Sequence, residues 1–249
     1  MDCRMFLYLG KNENVSKYFE SLKLSAGKDV FSNNKKHGDG YGFVILNKNS
    51  EFFMRKSNPI YDENSFMDNL KGRMAILTHA RLASETEQRR GWIDDHPFRI
   101  FKENETFYIA HNGFVDKKKI AEKFGINTKN LTDTETFAYA IQSMKGNVIQ
   151  NIEELIEILH EGELLDTLNL LCLGYDYDGK IKLCYYSDFN DPRENYLSLI
   201  EYKNDDFISV MSSTVAYYLN LVDLNLNPLH EKVIKVEKNK LKKMEAYLW

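Results

Sequence analysis

The sequence predicts an α+β fold built on antiparallel sheets, from three features. Short apolar or alternating runs are bounded by glycine and polar clusters, helical-period segments are grouped between them without strict alternation, and the second half carries a tight hairpin signal. In chain order, "CRMFLYLG" reads as a strand and "VSKYFESLKL" as a helix; "YGFVILN", "RMAILTHARL" and "TFYIAHNGFV" are strands. Three helices follow, "DKKKIAEKF", "TETFAYAIQSM" and "NIEELIEILH". In the last, Ile152, Leu155, Ile156 and Leu159 fall at i, i+3, i+4 and i+7, which puts them on one face. "TLNLLCLGYDYDGKIKLCYYSD" reads as two strands around a turn in which Asp178-Gly179 supplies left-handed conformations. "DFISVMSST" and "EKVIKVE" are further strands.

The 249 residues suit one large domain or two small ones and can bury a sizeable core. A formal charge of -4 argues against a nucleic-acid partner, because such binding rests on neutralising phosphates. The basic runs "DKKKIAEK" and "KNKLKKME" read as solvated helix faces. Cys3, Cys172 and Cys184 form no CxxC or metal-ligand spacing, which suggests reduced thiols in a cytoplasmic compartment. "MFLYLG" is too short for a signal-peptide core or a membrane span, so no membrane partner is expected. No GxGxxG or GxxxxGK[ST] occurs, so there is no sequence ground for a nucleotide cofactor.

Several segments carry residue types suited to chemistry. "HGDGYGFV" packs three glycines, Gly38, Gly40 and Gly42, directly before a strand, implying positive φ or close backbone approach. "THARLAS" ends a strand on Arg81, whose planar fork can hold a carboxylate. "DDHPF", "AHNGF" and "TDTETF" contribute His96, His111, Asn112, Gly113 and Asp133. Taken alone, Asn112-Gly113 is a hairpin-turn signal, and Thr132 is a helix N-cap with Glu135 as its capping-box partner.

Taken together, "CRMF", "HGDGYGFV", "THARLAS", "DDHPF", "AHNGF" and "TDTE" occur in the order found in class II glutamine amidotransferase domains, and the chain resembles the small stand-alone members of that family of N-terminal nucleophile hydrolases. The resemblance implies a single domain over residues 1–249, a four-layer αββα sandwich of two antiparallel sheets, and no cofactor or metal. It implies that Cys3 attacks the side-chain amide of glutamine or a γ-glutamyl compound, with its own α-amine as general base. An α-amine of pKa about 7.7–8.0 can relieve a thiol of pKa about 8.5 of its proton near neutral pH. Asn112 and Gly113 are then the oxyanion donors, Arg81 holds the α-carboxylate and Asp133 the α-ammonium. Gly40 and Gly42 let the backbone close on the substrate, and His79 supports substrate binding together with His96 and His111. A separate synthase subunit is an expected acceptor of the ammonia.

The mechanism requires Met1 and Asp2 to be removed, because an acylated amine cannot act as a base. Two other readings stand beside it. One is a metal-dependent hydrolase using His37, Asp39, His79, Asp95, His96 and His111, although no HxH or HExxH pair occurs. The other is a catalytically silent binding module on the same fold, with Asp2 blocking the amine and the tail Tyr247, Leu248 and Trp249 docking a partner.

Overall fold

The computed structural model describes residues 3–11, 15–64, 72–84, 89–190 and 192–248; Met1, Asp2 and Trp249, on which readings above depend, lie outside them. The elements in chain order are β1 (Arg4–Lys11), α1 (Val15–Gly27), β2 (Gly40–Asn47), β3 (Ser50–Lys56), β4 (Arg73–Arg81), β5 (Phe98–Lys102) and β6 (Glu105–Val115). Next come α2 (Lys117–Phe124), α3 (Asp133–Ser143), α4 (Val148–Glu161), β7 (Leu165–Asp176), β8 (Ile181–Phe189) and α5 (Glu194–Leu197). The chain closes with β9 (Leu199–Lys203), β10 (Ile208–Ser212), α6 (Ser213–Tyr218), β11 (Val233–Lys235) and β12 (Lys242–Ala246).

Among the described residues the strands form two sheets, in the orders β11-β9-β10-β1-β4-β2-β3 and β12-β8-β7-β6-β5. Every neighbouring pair is antiparallel. Strand alternation sorts the core into three layers. From β1, Phe6 and Tyr8 face α1, where they pack with Tyr18, Phe19 and Leu22. Met5, Leu7 and Leu9 face the other sheet and meet Tyr108, Ala110, Leu171 and Leu173. On the far side of β6 and β7, Ile109, Leu168 and Leu170 pack under Phe137, Ile152 and Leu155 of α3 and α4. The result is the αββα sandwich expected, and because its central strands are covered on both faces they read as nearly continuous apolar runs.

The outer helices are fixed by their ends. Asp116 caps α2, accepting from Lys118 N (3.1 Å) and Lys119 N (3.2 Å), and Gly125 ends it in a left-handed conformation at φ 67°. Asn147 caps α4 through Gln150 N (3.0 Å). Thr132 caps α3 through Glu135 N (3.0 Å), but the capping box is only half formed, since the Glu135 carboxylate pairs with Arg90 (3.1 Å).

Other expectations are corrected. The Asn112-Gly113 pair is no hairpin turn: both residues lie inside β6, opposite Asn169 and Leu168 of β7. In the β7–β8 turn only Gly179 is left-handed, at φ 74°, and the Asp176 carboxylate organises the loop by accepting from Asp178 N (3.1 Å) and Lys180 N (3.0 Å). "KNKLKKME" is not a helix face but runs into the edge strand β12, where lysines suit an exposed sheet edge. Cys172 and Cys184, distant in sequence, are cross-strand neighbours and both buried. Of the tail, Leu248 is buried between the sheets, while Tyr247 is exposed. No described helix is long and apolar enough to cross a membrane.

Candidate active site

The layer between the sheets changes character at one end. Odd-numbered residues of β1 face this layer, so the residue before Arg4, Cys3, projects into it and is fully buried. Its backbone N donates to Asn112 Oδ1 across the layer (2.9 Å), and its carbonyl accepts from Arg4 Nη1 (2.9 Å). Its Sγ lies 3.8 Å from Leu82 O. Ser212 Oγ accepts from Met5 N (3.1 Å), holding the next residue but one. This end of β1 is therefore gripped from both sheets.

Pairing carries this row across the sheet. Arg4 opposes Ala80, so Cys3 comes level with Arg81, and Arg81 opposes Gly40 on β2. Arg81 is buried and, like Cys3, points between the sheets. Asp39 N donates to Arg81 O (3.1 Å), and the Asp39 carboxylate accepts from Ala83 N (2.8 Å), binding the glycine-rich segment to the end of β4. The glycines are required by a close approach. A Cβ at Gly40, where φ is 144°, would overlap the Asp95 carboxylate, and one at Gly42 would overlap the His96 carbonyl.

The second wall is the uncovered edge of β6. Pairing with β5 stops at its first residue, Phe98, opposite Ile109, so beyond that point the odd-numbered residues of β6 turn backbone groups toward an edge without a strand. There His111 O accepts from His79 Nε2 (3.3 Å), and the Gly113 N–H projects from the same edge. Past a bulge at Phe114/Val115, the Val115 N–H reaches Asp133 Oδ2 (3.4 Å). Gly113 is a glycine because a Cβ there would overlap the Thr167 carbonyl of β7. Asp133 opens α3, its Oδ1 accepting from Thr134 N (2.7 Å). Burial raises its carboxyl to about 6, with the Thr134 and Val115 N–H groups opposing.

Three histidines fill the space between these walls. His79 and His96 pack at a tilt of 39° with ring centroids 4.0 Å apart, and Thr134 Oγ1 lies within reach of His96 Nε2 (2.9 Å) and His111 Nδ1 (3.0 Å). Burial lowers the basicity of all three: His111 falls to about 4, and His79 and His96 fall well below the ordinary range, with Arg81 adding to the effect on His79. At neutral pH they are uncharged spacers and hydrogen-bond partners.

Behind β1, on the opposite face, Arg4 pairs with Asp29, whose carboxylate also meets His37 Nε2 (2.8 Å), Thr214 Oγ1 (2.7 Å) and Phe31 N (3.1 Å). Burial alone would raise the Asp29 carboxyl; Arg4, His37 and Thr214 outweigh it and hold it far below the usual range. The Arg4 guanidinium also lies 3.8 Å over the Tyr196 ring.

Of the sequence-derived site residues, Cys3 and Asn112 are in direct contact, Arg81 and Gly40 extend the same row, Gly42 opposes His79, and Gly113 and Asp133 share the β6 edge. Asp29, Thr134, Ser212 and Thr214 escaped sequence reasoning. Single polar residues in helix starts and turns carry no spacing signal. The metal-hydrolase set does not assemble: His37 is held by Asp29, and among the described residues no three His, Cys, Asp or Glu side chains converge to hold a metal ion. A concavity of about 690 Å³ lies at the other end of β6, and in it Lys182 bridges Glu105 (3.0 Å) and Asp176 (3.5 Å).

No protein-family model matches the sequence, and no curated protein matches it. Solved structures do. Glutamine phosphoribosylpyrophosphate amidotransferase from B. subtilis, complexed with ADP and GMP, matches at TM-score 0.62 and 16% identity, covering 99% of this chain and 49% of its own. A structure described as the allosteric regulatory enzyme of purine biosynthesis matches at TM-score 0.61 and 16% identity, with the same coverage. The chain thus spans about half the length of the solved structures it matches. What it shares with them is the fold, an α+β sandwich of two antiparallel sheets.

Proposed function

We propose that this chain hydrolyses the side-chain amide of glutamine, or of a γ-glutamyl compound, through a thioester on Cys3, releasing ammonia. The observation that carries this reading is the hydrogen bond from Cys3 N to Asn112 Oδ1 (2.9 Å). Once Cys3 is the first residue, that nitrogen is the α-amine, held beside its own thiol. It takes the thiol proton, the thiolate attacks the amide carbon, and the protonated amine returns the proton to the leaving nitrogen. Because Oδ1 is engaged, the Asn112 Nδ2 is the end free to donate, and the Gly113 N–H lies one residue on along the same strand. Both are suited to a developing oxyanion.

In this reading Arg81 takes the substrate α-carboxylate and Asp133 its α-ammonium, so binding energy remote from the scissile bond positions the amide. Gly40 and Gly42 keep the row clear of side chains, and His79 bears on the β6 edge through His111 O. The ammonia acceptor would be a separate synthase subunit or bulk water.

The test joins N-terminal mass analysis to an ammonia-release assay. A chain beginning at Cys3 is expected to turn over L-glutamine or a γ-glutamyl amide. A Cys3-terminated chain that releases ammonia from neither, yet keeps its fold, leaves the binding-module reading in its place.

A further inference from the structure

We propose that Thr134 is a positioning residue for the amide hydrolysis, its one hydroxyl proton fixing the His111 ring against Gly113 and so aiming the oxyanion donors of β6. This rests on the amidohydrolase reading above. Pairing with β5 stops at Ile109, so past that point one edge of β6 has no strand beside it, and side chains must hold what a ladder holds elsewhere. The His111 side chain is placed to do this. A Cβ on Gly113 would lie 2.9 Å from His111 Nε2, so the ring packs directly on the residue whose N–H is the expected oxyanion donor. The backbone of His111 is pinned as well, because its carbonyl accepts from His79 Nε2 (3.3 Å).

The acceptors around the ring set the direction of each hydrogen bond. His111 Nε2 reaches Thr167 O (3.4 Å), and a carbonyl only accepts, so this nitrogen carries the hydrogen. The ring is uncharged at neutral pH, since burial lowers it to about 4, and its Nδ1 is therefore a bare acceptor that takes the Thr134 hydroxyl proton (3.0 Å). With that proton spent, Thr134 Oγ1 accepts from His96 Nε2 (2.9 Å). The other acceptor near the hydroxyl, Asp133 Oδ1, is farther away (3.3 Å) and already accepts from Thr134 N (2.7 Å). Thr134, His96 and His111 are all buried, so a nitrogen left without its partner here is costly. One hydroxyl thus joins three segments: the start of α3, which carries Asp133; β6, through His111; and the stretch whose His96 carbonyl lies over Gly42.

The experiment compares the wild type, Thr134→Val and Thr134→Ser, each with Cys3 as first residue. Valine keeps the shape and the backbone N–H on Asp133 and removes only the hydroxyl. It is expected to lower kcat on L-glutamine about ten- to a hundredfold with a smaller change in KM, because displaced donors lose much of their hold on the oxyanion. Serine keeps the hydroxyl and is expected to restore most of that loss. An unchanged kcat in Thr134→Val overturns the proposal, and so does a rise in KM alone, which would place the effect on Asp133, or a serine variant as slow as the valine one. Imidazole nitrogen NMR shifts of the wild type decide independently of any Thr134 variant. Hydrogen on His111 Nε2 with a bare Nδ1 supports the assignment, and hydrogen on Nδ1 overturns it. If the wild type turns over no glutamine or γ-glutamyl amide, the parent reading fails and takes this one with it; turnover with an intact kcat in Thr134→Val defeats only this one.

Discussion

Strand β1 separates two buried polar regions that obey opposite rules. Behind it, Asp29 is surrounded by Arg4, His37, Thr214 and the Phe31 N–H. In front of it, Asp95 is buried to the same degree and has no donor among the described residues. The first carboxyl is held far below the ordinary range and the second is raised to about 7. The difference teaches that burial of charge does not by itself mark a site. A satisfied carboxylate fixes the strand, while an unsatisfied one holds its proton to higher pH.

The contrast breaks most sharply at Cys3, the proposed nucleophile. Cys3→Ala, in front of the strand, is expected to lower kcat by about 10⁶-fold, to background, while the urea midpoint moves little. Glutamine-dependent ammonia release and urea titration on the same preparation check both halves.

Behind the strand the pattern should invert. Asp29→Asn leaves the Arg4 guanidinium buried without its counter-ion and is expected to cost about 3–5 kcal/mol of stability, read from denaturant unfolding. A loss below about 1 kcal/mol would show that the cluster is not what anchors β1.

Asn112→Ala sharpens the comparison from the opposite sheet. It removes both the acceptor for Cys3 N and the expected oxyanion donor, and kcat should fall about 10²–10³-fold with a smaller change in KM. An unchanged kcat would separate Asn112 from the chemistry.

The pH slopes of the two regions carry opposite signs. The Asp29 carboxyl is depressed in the folded state, so its contribution is present above the ordinary value of 3.8 and lost as pH falls below it. Asp95 is raised from 3.8 to about 7, so the folded state binds the extra proton and stability declines as pH climbs from about 4 to 7. Asp133, raised to about 6, adds a decline of the same sign. Asp95→Asn is expected to flatten the decline and to be more stable than wild type at pH 8. Thermal melts across this range, with an unchanged slope as the contrary result, test it.

Much of the fold was legible because period carries it. Alternation in β1 and the helical face of α4 follow from geometry that each residue obeys locally. Cys3, Arg81 and Asn112 were legible through the order of their motifs, and the structure brings Cys3 and Asn112 together over 109 residues. The Asn112-Gly113 pair shows the limit. Turn propensity is a local preference, and it lost to a strand whose neighbour, Thr167 O, leaves no room for a side chain. The glycine was needed, but for close approach rather than for a turn.

By itself, then, the sequence determined the α+β class with antiparallel sheets and the residue types available to the site, because these depend on composition and on periods of two and 3.6 residues. The tertiary structure alone decided which polar groups meet which. Asp29 finds Thr214 across 185 residues, β5 stops short and bares the edge of β6, and the Asp95 carboxylate is carried to Gly40 with no hydrogen-bond partner among the described residues. Hydrogen bonding and charge act over a few ångströms in space, and no spacing along the chain encodes that distance.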